Sequence, residues 1–514
     1  GVLLDASFTV NPSERVGIVG PNGGGKSTTF SLIMKSIEPD KGDVILPRKL
    51  RIGHVRQQPE AETEEMTVLA FTEQSIPGLS RMEDEMHRLE ADLDQQEGAL
   101  RAARLKRIGE LQTEFEHLGG YEMRSRAEAA LSGLGFKEAD FHKPFNAFSG
   151  GWKMRAELVR ILIGDPDILL LDEPSNYLDL PAIEWLRRFL RDYAGTLLLI
   201  SHDRYLLEAL VDRILEVQHG VVTRYAGGYL YYERERITRR EQLEANKKSQ
   251  DKKREQIETF ITRFRSKASK ASQVQSRIKM LERMEVIELP QADVSTSRIR
   301  LAPPPHSGAE MVRLENVGHA YQSGVNVLKS VNLNINRGQK VALVGYNGMG
   351  KTTLLRILAG VLAPSSGKHV LGHQVIVGYQ AQESTETMPA DSSAFNIVKA
   401  AHSEASDKEV RAALGSFGFS GDSVDKACGV LSGGEKIRLA FARLFIRPPN
   451  LLILDEPTTH LDLQGRMMLE SSLADYAGTV CMVSHDIEFV RRVADSIVAM
   501  EPPSIRKYAG GYDY

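Results

Sequence analysis

Gly20-Pro21-Asn22-Gly23-Gly24-Gly25-Lys26-Ser27-Thr28 follows a short apolar run, Val16–Val19, and leads into Lys26–Ser36, which reads as a helix. Gly-x-x-x-x-Gly-Lys-Ser/Thr between a strand and a helix is a phosphate cradle. Its glycines let successive backbone N–H groups point at phosphate oxygens, at the positive end of the helix. The stretch returns as Gly345-Tyr346-Asn347-Gly348-Met349-Gly350-Lys351-Thr352-Thr353, after Val341–Val344. Lys26 and Lys351 are placed to reach terminal phosphates, and the Ser27 and Thr352 hydroxyls to ligate Mg²⁺. A phosphate loop of this kind implies a nucleotide, and its recurrence implies two.

Working outward, more of the chain proves to be duplicated. Ile168-Leu-Leu-Leu-Asp172-Glu173 returns as Leu451-Leu-Ile-Leu-Asp455-Glu456, and Ser201-His202-Asp203 as Ser484-His485-Asp486. Tyr225-Ala-Gly-Gly-Tyr229 returns as Tyr508-Ala-Gly-Gly-Tyr512. Lys26 to Lys351 and Gln57 to Gln382 share an offset of 325, whereas Ser149 to Ser432, Asp172 to Asp455 and His202 to His485 share one of 283. The 42-residue difference therefore sits between Gln57 and Ser149, as an insertion in the first copy. Five intact spacings mean duplication. Asp172 and Asp455, each ending an apolar strand, suit a hydrated Mg²⁺. Glu173 and Glu456 suit the polarising of an attacking water. A buried structural carboxylate pair is the bland reading, and the phosphate loops outweigh it.

At 514 residues the chain calls for two or three domains, not one core. Its net charge is only -3, but the charge is segregated. Glu233–Val286 holds sixteen Lys/Arg against nine Asp/Glu, which leaves 49 basic against 59 acidic residues elsewhere. From Thr259 to Leu281 there are six basic residues (Arg263, Arg265, Lys267, Lys270, Arg277, Lys279) and no acidic one. Apolar residues recur there at helical spacing: Ile257, Phe260, Ile261 and Phe264, then Val274, Ile278 and Leu281. The segment predicts one or two long charged helices, broken near Ser266–Ser272. A basic segment in an acidic chain fits a polyanion partner; a solvated spacer is the plain alternative. Two cysteines give no disulfide framework and suit a reducing, cytoplasmic compartment. No apolar run approaches the ~20 residues of a membrane helix. The chain begins on Gly1 and not Met, so the absence of a secretory signal decides nothing.

Taken in order, Val2–Val10 and Arg15–Val19 read as strands. The first copy has nothing matching Met311–Val325, so it enters its sheet part-way. The insertion, about 81–118, reads as a helical pair with stripes Met82, Met86, Leu89, Leu93 and Ile108, Leu111, Phe115, Leu118, turning around Gln95–Gly98. Arg124–Leu134 is helical. The domains predicted are 1–232, a linker at 233–310 that ends in prolines, and 311–514.

Phe148-Ser149-Gly150-Gly151-Trp152 and Leu431-Ser432-Gly433-Gly434-Glu435, each 23 residues before its Asp, resemble the signature motif of ABC-type ATPases. Gln57 and Gln382 match that superfamily's Q-loop, Asn176–Asp179 and Thr459–Asp462 its D-loop, and His202 and His485 its switch histidine. Two cassettes, a charged linker and no membrane domain narrow the resemblance to the ABC-F family, over nearly the whole chain. Trp152-Lys-Met-Arg155, Glu435-Lys-Ile-Arg438 and the run Phe260–Arg277 are similar to that family's paired signatures and linker. Phe148, Tyr177 and Thr459 stand where Leu, His and Asn are usual, and none removes a catalytic group.

The resemblance implies an α/β fold: two P-loop cassettes in tandem, closing head to tail over two molecules of ATP with Mg²⁺. Site one would join Gly20–Thr28, Gln57, Asp172, Glu173 and His202 to Ser432, Gly433 and Gly434. Site two would join Gly345–Thr353, Gln382, Asp455, Glu456 and His485 to Ser149, Gly150 and Gly151, with Tyr321 stacking on adenine. Gln57 and Gln382 would complete the metal shells of Ser27, Asp172, Thr352 and Asp455. It further implies an ATPase, monomeric and cytoplasmic, that acts on the ribosome in translation through linker contacts with tRNA and rRNA. A transporter motor needs no basic spacer of this length, and chromosome-type ATPases carry far longer coiled coils. Two cysteines oppose an iron–sulfur recycling ATPase. A drug-resistance variant of the same family is a further alternative.

Overall fold

The computed structural model describes residues 2–55, 66–75, 79–91, 99–117, 119–218, 220–264, 270–282, 284, 301–321, 326–381, 387–459, 461–501 and 504–512. Gln57, Gln382, Leu93, the Gln95–Gly98 turn, Leu118, Arg265, Lys267 and Pro290 lie outside these residues.

In the first copy, Arg15–Val19 (β1), Ile52–His54 (β2), Ile168–Asp172 (β3), Thr196–Ile200 (β4), Arg213–Gln218 (β5) and Val221–Tyr225 (β6) form a sheet in the order β2-β3-β4-β1-β5-β6. The second copy opens with Glu310–Ala320 (β7) and Asn326–Asn336 (β8), continues with Lys340–Val344 (β9), Ser366–Leu371 (β10), Val377–Gln380 (β11), Leu451–Asp455 (β12) and Thr479–Val483 (β13), and ends with Ser496–Glu501 (β14) and Ser504–Tyr508 (β15). Its large sheet runs β11-β12-β13-β9-β14-β15, the same order strand for strand. The duplication read from spacing is thus a duplication of topology. In each six-stranded sheet only the last strand is antiparallel, whereas β10, β7 and β8 form a separate, wholly antiparallel sheet.

Continuous apolar runs suit strands covered on both faces. In β3, Leu169 and Leu171 enter one core while Leu170 enters the other, as the two-residue side-chain period requires. Each such leucine contributes about 1.5–3 kcal/mol by leaving water. Parallel pairing brings the C-terminal ends of β1, β3 and β4 to one edge, where Asp172 lies opposite Ile200. That edge is where open α/β sheets bind ligands.

Three expectations change. Val2–Val10 forms no strand. Its counterpart β8 pairs with β7, and the described part of the first copy has no strand equivalent to β7 for it to join. The helix after the first phosphate loop is Lys26–Ile33, because Lys35 takes a left-handed φ of 55° and stops it before Ser36. The linker helix starts at Tyr229, not Glu233, because Tyr229 and Tyr232 are buried against the first cassette. It runs to Phe264, and a second helix covers Ala271–Glu282. Ile257 and Val274 are buried between them, and Arg277 lies over the Phe260 ring.

The insertion holds helices Leu79–Ala91 and Ala99–His117. Met86, Leu111 and Phe115 form their shared core, with Met82 and Leu89 against it, so these stripes pack on each other. Both free cysteines are buried.

Candidate functional site

Each phosphate loop is held by features its glycines permit. Gly20 and Gly345 both take φ +151°, and a Cβ there would come 2.1 Å from the Val217 oxygen or 2.9 Å from the Met500 oxygen. Gly25 and Gly350, in left-handed conformations, begin helices Lys26–Ile33 and Lys351–Leu358. Inside the loops the ammonium groups turn back on backbone oxygens. Lys26 Nζ donates to Gly20 O (2.9 Å) and Pro21 O (3.0 Å). Lys351 Nζ donates to Gly345 O (2.7 Å), Tyr346 O (3.1 Å) and Asn347 Oδ1 (3.3 Å). Burial lowers both lysine pKa values, so each buried cation favours an incoming anion.

The carboxylates meet these loops from the next strand but one. Ser27 Oγ donates to Asp172 Oδ2 at 2.7 Å, and Thr352 lies beside Asp455. Glu173 and Glu456 have left-handed backbones, φ 49° and 48°, a strained conformation concentrated at functional sites. In each copy the switch histidine's backbone N–H donates to this glutamate's Oε2 at 3.2 Å. Glu173 Oε1 and Glu456 Oε1 lie 3.5 and 3.2 Å from the histidine Nε2 but have no hydrogen bond among the described residues. Burial raises both glutamates to about 7, and Asp455 to about 6. Burial pushes His485 down to about 3 and His202 well below its usual value, so both rings are neutral. His202 Nε2–H donates to Asn22 Oδ1 at 3.1 Å.

Two cavities lie at the junction of the copies. One, of about 410 Å³, is lined by Asn22, Gly23, Gly25, Lys26, Ser27, Thr28, Asp172, Glu173 and His202, and from the other copy by Ser432, Gly433 and Arg466. The other, of about 540 Å³, is lined by Tyr321, Asn347, Gly348, Gly350, Lys351, Thr352, Thr353, Asp455, Glu456 and His485, with Gly151 and Tyr177 from the first copy. Ser149, Gly150 and Gly434 are not on either wall, nor are Gly20, Pro21, Gly24, Gly345, Tyr346 and Met349, which shape the loops behind them. Asn347 N–H donates to Asp179 Oδ2 at 3.0 Å, tying one copy's D-loop to the other's phosphate loop. Tyr321 OH meets Thr353 Oγ1 at 3.1 Å.

The two signatures differ because position 152 is Trp and its equivalent, 435, is Glu. Glu435 forms a reciprocal capping box with Ser432, whose hydroxyl accepts from the Glu435 N–H. Trp152 instead packs on Phe136 and under Arg155, and the Ser149 side chain makes no capping bond. Arg155 is buried, bonded to Tyr177 O (2.9 Å), Leu134 O (2.7 Å) and Asp179 Oδ2 (3.2 Å). Motif reading did not single out Arg466, Arg204 or Glu470. Arg204 of the first copy reaches the linker helix, at Glu233 (3.7 Å) and the Tyr229 ring (5.7 Å), and the second copy, at Glu470 (3.6 Å).

The residues fit a nucleotide and its metal. Gly20, Gly345 and Gly350 leave no room for a Cβ, the buried lysines begin the helices that follow the loops, and the glutamate Oε1 atoms and the His202 and His485 Nδ1 atoms are buried without hydrogen bonds among the described residues. Hydroxyl and carboxylate oxygens are the donors a Mg²⁺ site uses.

Fold and cavities together define a twin-cassette nucleotide-binding protein of the ABC class. An ABC transporter family model matches residues 3–176 and 328–459, and a second model described in the same words matches 215–301, across the linker helices. "Probable ATP-binding protein YheS" of Escherichia coli K12 is 38% identical over 99% of this chain and 78% of its own length. "ABC transporter F family member 5" of Arabidopsis thaliana is 33% identical over 100% of this chain and 75% of its own. The chain belongs to this family, the ABC-F proteins. The solved structure titled RNase-L Inhibitor has the same fold, with a TM-score of 0.58 at 20% identity over 98% of this chain and 87% of that one. The archaeal ribosome recycling factor in complex with a ribosomal stalk protein also gives 0.58, at 19% identity over 97% and 86%. No helix among the described residues is long and apolar enough to cross a membrane.

Proposed function

We propose that the chain binds and hydrolyses ATP at both composite cavities, and that closure of the cassettes presents the linker helices to the ribosome. The observation that carries this reading is that each cavity joins one copy's phosphate loop and catalytic glutamate to the other copy's signature glycine. Such a site is complete only when the cassettes meet, so ATP acts as a cross-link and its hydrolysis as a release. The cassettes are taken as 1–232 and 311–514, with 233–310 as the linker.

Lys26 and Lys351 would exchange their loop carbonyls for phosphate oxygens. Ser27 with Asp172, and Thr352 with Asp455, would hold Mg²⁺, joined by Gln57 and Gln382; the ion's charge neutralises the β- and γ-phosphates when bound. Glu173 and Glu456 orient the attacking water through Oε1, their Oε2 atoms being held by histidine N–H groups. His202 and His485, both neutral, fix that orientation. Ser432, Gly433 and Gly151 close the γ-phosphate side, and Tyr321 supplies a face for the second adenine. The basic surplus between Thr259 and Leu281 supports an RNA partner, because backbone phosphates reward clustered Lys and Arg through counterion release. Structured RNA at a tRNA site is the partner whose phosphates the linker would meet.

Purified protein should turn over ATP only with Mg²⁺, and should co-sediment with ribosomes in the presence of non-hydrolysable ATP. Turnover without ribosome association would leave an ATPase of another pathway. Absence of turnover with both Mg²⁺ and ribosomes would remove the hydrolytic reading.

A further inference from the structure

Between the two cavities stands a buried cation with no counterpart in the duplicated sequence. Arg466 lies on helix Leu463–Ala474, and its side chain is only 9% exposed. It is fixed to its own cassette: Nε donates to Leu461 O (3.2 Å) and a terminal nitrogen to Asp486 Oδ2 (3.0 Å). From that anchorage it lines the cavity that contains Glu173, His202 and Lys26, and also the one that contains Glu456 and His485. At the offset of 283 its equivalent in the first copy is Ile183, equally buried and apolar. Duplication has therefore kept every catalytic group in pairs and left this charge single.

The surroundings give the charge a direction. Glu173 is a buried carboxylate whose Oε1 has no hydrogen bond among the described residues, so it depends on nearby cations. Two face it, Lys26 and Arg466, and Arg466 exerts the larger pull. Lys26 belongs to the phosphate loop and is claimed by phosphate once nucleotide enters. Arg466 is anchored to Asp486 and stays. At Glu456 the order is reversed, with Lys351 outweighing Arg466. Arg155 approaches the second site from the first cassette, beside Lys351 and His485, and is paired with Asp179 as Arg466 is with Asp486. Asp203 and Asp486 complete the ring of charges around Arg466.

We infer that Arg466 is a positioning residue for the first ATP site: supplied by the opposite cassette, it holds the Glu173 carboxylate in place on closure, and the second site works without an equivalent. The two sites are then unequal by construction. Hydrolysis at site one requires the second cassette's helix Leu463–Ala474 to be seated, whereas site two has only Ile183 at the matching position. This inference rests on the hydrolytic reading above.

The test uses the full chain with one site silenced. Glu456→Gln leaves site one active, and Glu173→Gln leaves site two active; each is combined with Arg466, Arg466→Lys or Arg466→Met. With Arg466→Met, kcat of the site-one enzyme should fall about tenfold, the size of one lost polar interaction, while its KM for ATP stays within about twofold. The site-two enzyme should change by less than about twofold in either constant. Arg466→Lys, which keeps the charge, should recover most of the site-one loss; if the Met variant does not fold, Arg466→Gln, polar but uncharged, takes its place and should show the same loss confined to site one. Equal losses at both sites, or a loss confined to KM, would mean that Arg466 merely holds the cassettes together, and would overturn the inference. So would an unchanged site-one kcat. Lack of turnover in the parent chain would instead strike the hydrolytic reading and take the inference with it.

Discussion

The two halves of the cassette junction are built from equivalent helices but do different chemistry. On one side, helix Leu463–Ala474 sends Arg466 and Glu470 toward Asp203 and Arg204, so buried charges of both signs meet there. On the other, Ile183 lies with Ile487 in an apolar cluster that also takes in Leu463. An apolar contact tolerates small displacements, since its energy follows area and has no direction. A buried ion pair is stringent: mated it roughly offsets its desolvation, and separated without water it is costly. One half of the junction therefore sets the seating of the cassettes, and the other half follows. Paired motifs define what the sites do; unpaired residues define how the sites differ.

The largest test of this contrast removes the catalytic glutamates. Glu173→Gln with Glu456→Gln should lower turnover by ~10²–10⁴-fold while ATP binding persists. Single variants, compared by steady-state kinetics, show whether the halves contribute unequally; identical single effects would blunt the contrast.

Next in size is Arg155→Ala, which strands buried Asp179 and two carbonyls. It should cost about 3–5 kcal/mol in denaturant unfolding. Arg438→Ala, the half-buried equivalent, should cost about 1 kcal/mol. Equal costs would show that the two signature helices are seated alike.

A third test uses pH. Glu173 and Glu456 sit at about 7 when folded, above the ordinary 4.5, because burial disfavours the charged form. Such groups contribute stability that is complete below 4.5 and is lost as pH rises through 7. Without metal or nucleotide, the double Gln variant should therefore gain on the parent as pH rises between these values, by up to about 3 kcal/mol per carboxylate. A melting-temperature gap that does not widen over that range would contradict the burial of these carboxylates.

The smallest effect concerns the linker. Replacing Arg263, Arg265, Lys267 and Lys270 by Gln should weaken ribosome binding and flatten its salt dependence by ~0.7–0.9 per lost phosphate contact. An unchanged slope would return the linker to the role of a spacer.

Most of the residues that line the two cavities could be singled out in the sequence, because backbone chemistry limits what can cradle a phosphate. Gly20, Gly25 and Lys26 have few substitutes at that spacing, so the motif announces itself. The same motifs implied an α/β fold, but the order of its strands came only with the structure. What escaped was set by tertiary contact. Arg466 sits in a helix with no motif of its own, and only its mismatch with Ile183 at the shared offset marks it out. The failure of Val2–Val10 to pair has a similar cause: its alternation suits a strand, but a strand needs a neighbour. Tyr229 and Tyr232 gave no sign in their spacing that they would be buried. Their hydroxyl and ring contacts, including Tyr232 OH to Glu216 at 2.7 Å, arise only once β5 is in place.

That rooting of the linker helix has a mechanical consequence. Helix Tyr229–Phe264 has 36 residues and so is about 54 Å long. Its base is clamped by Glu216, which accepts from Tyr225 and Tyr232 and pairs with Arg236 at 3.3 Å, and by Arg204 through Glu233. Arg204 also touches Glu470 of the other cassette, so the junction bears on the fulcrum itself. Tilting a rod of that length by about ten degrees carries its far end about 9 Å. A displacement too small to open either ATP cavity at the base would thus, at Phe264, span the width of several nucleotide atoms.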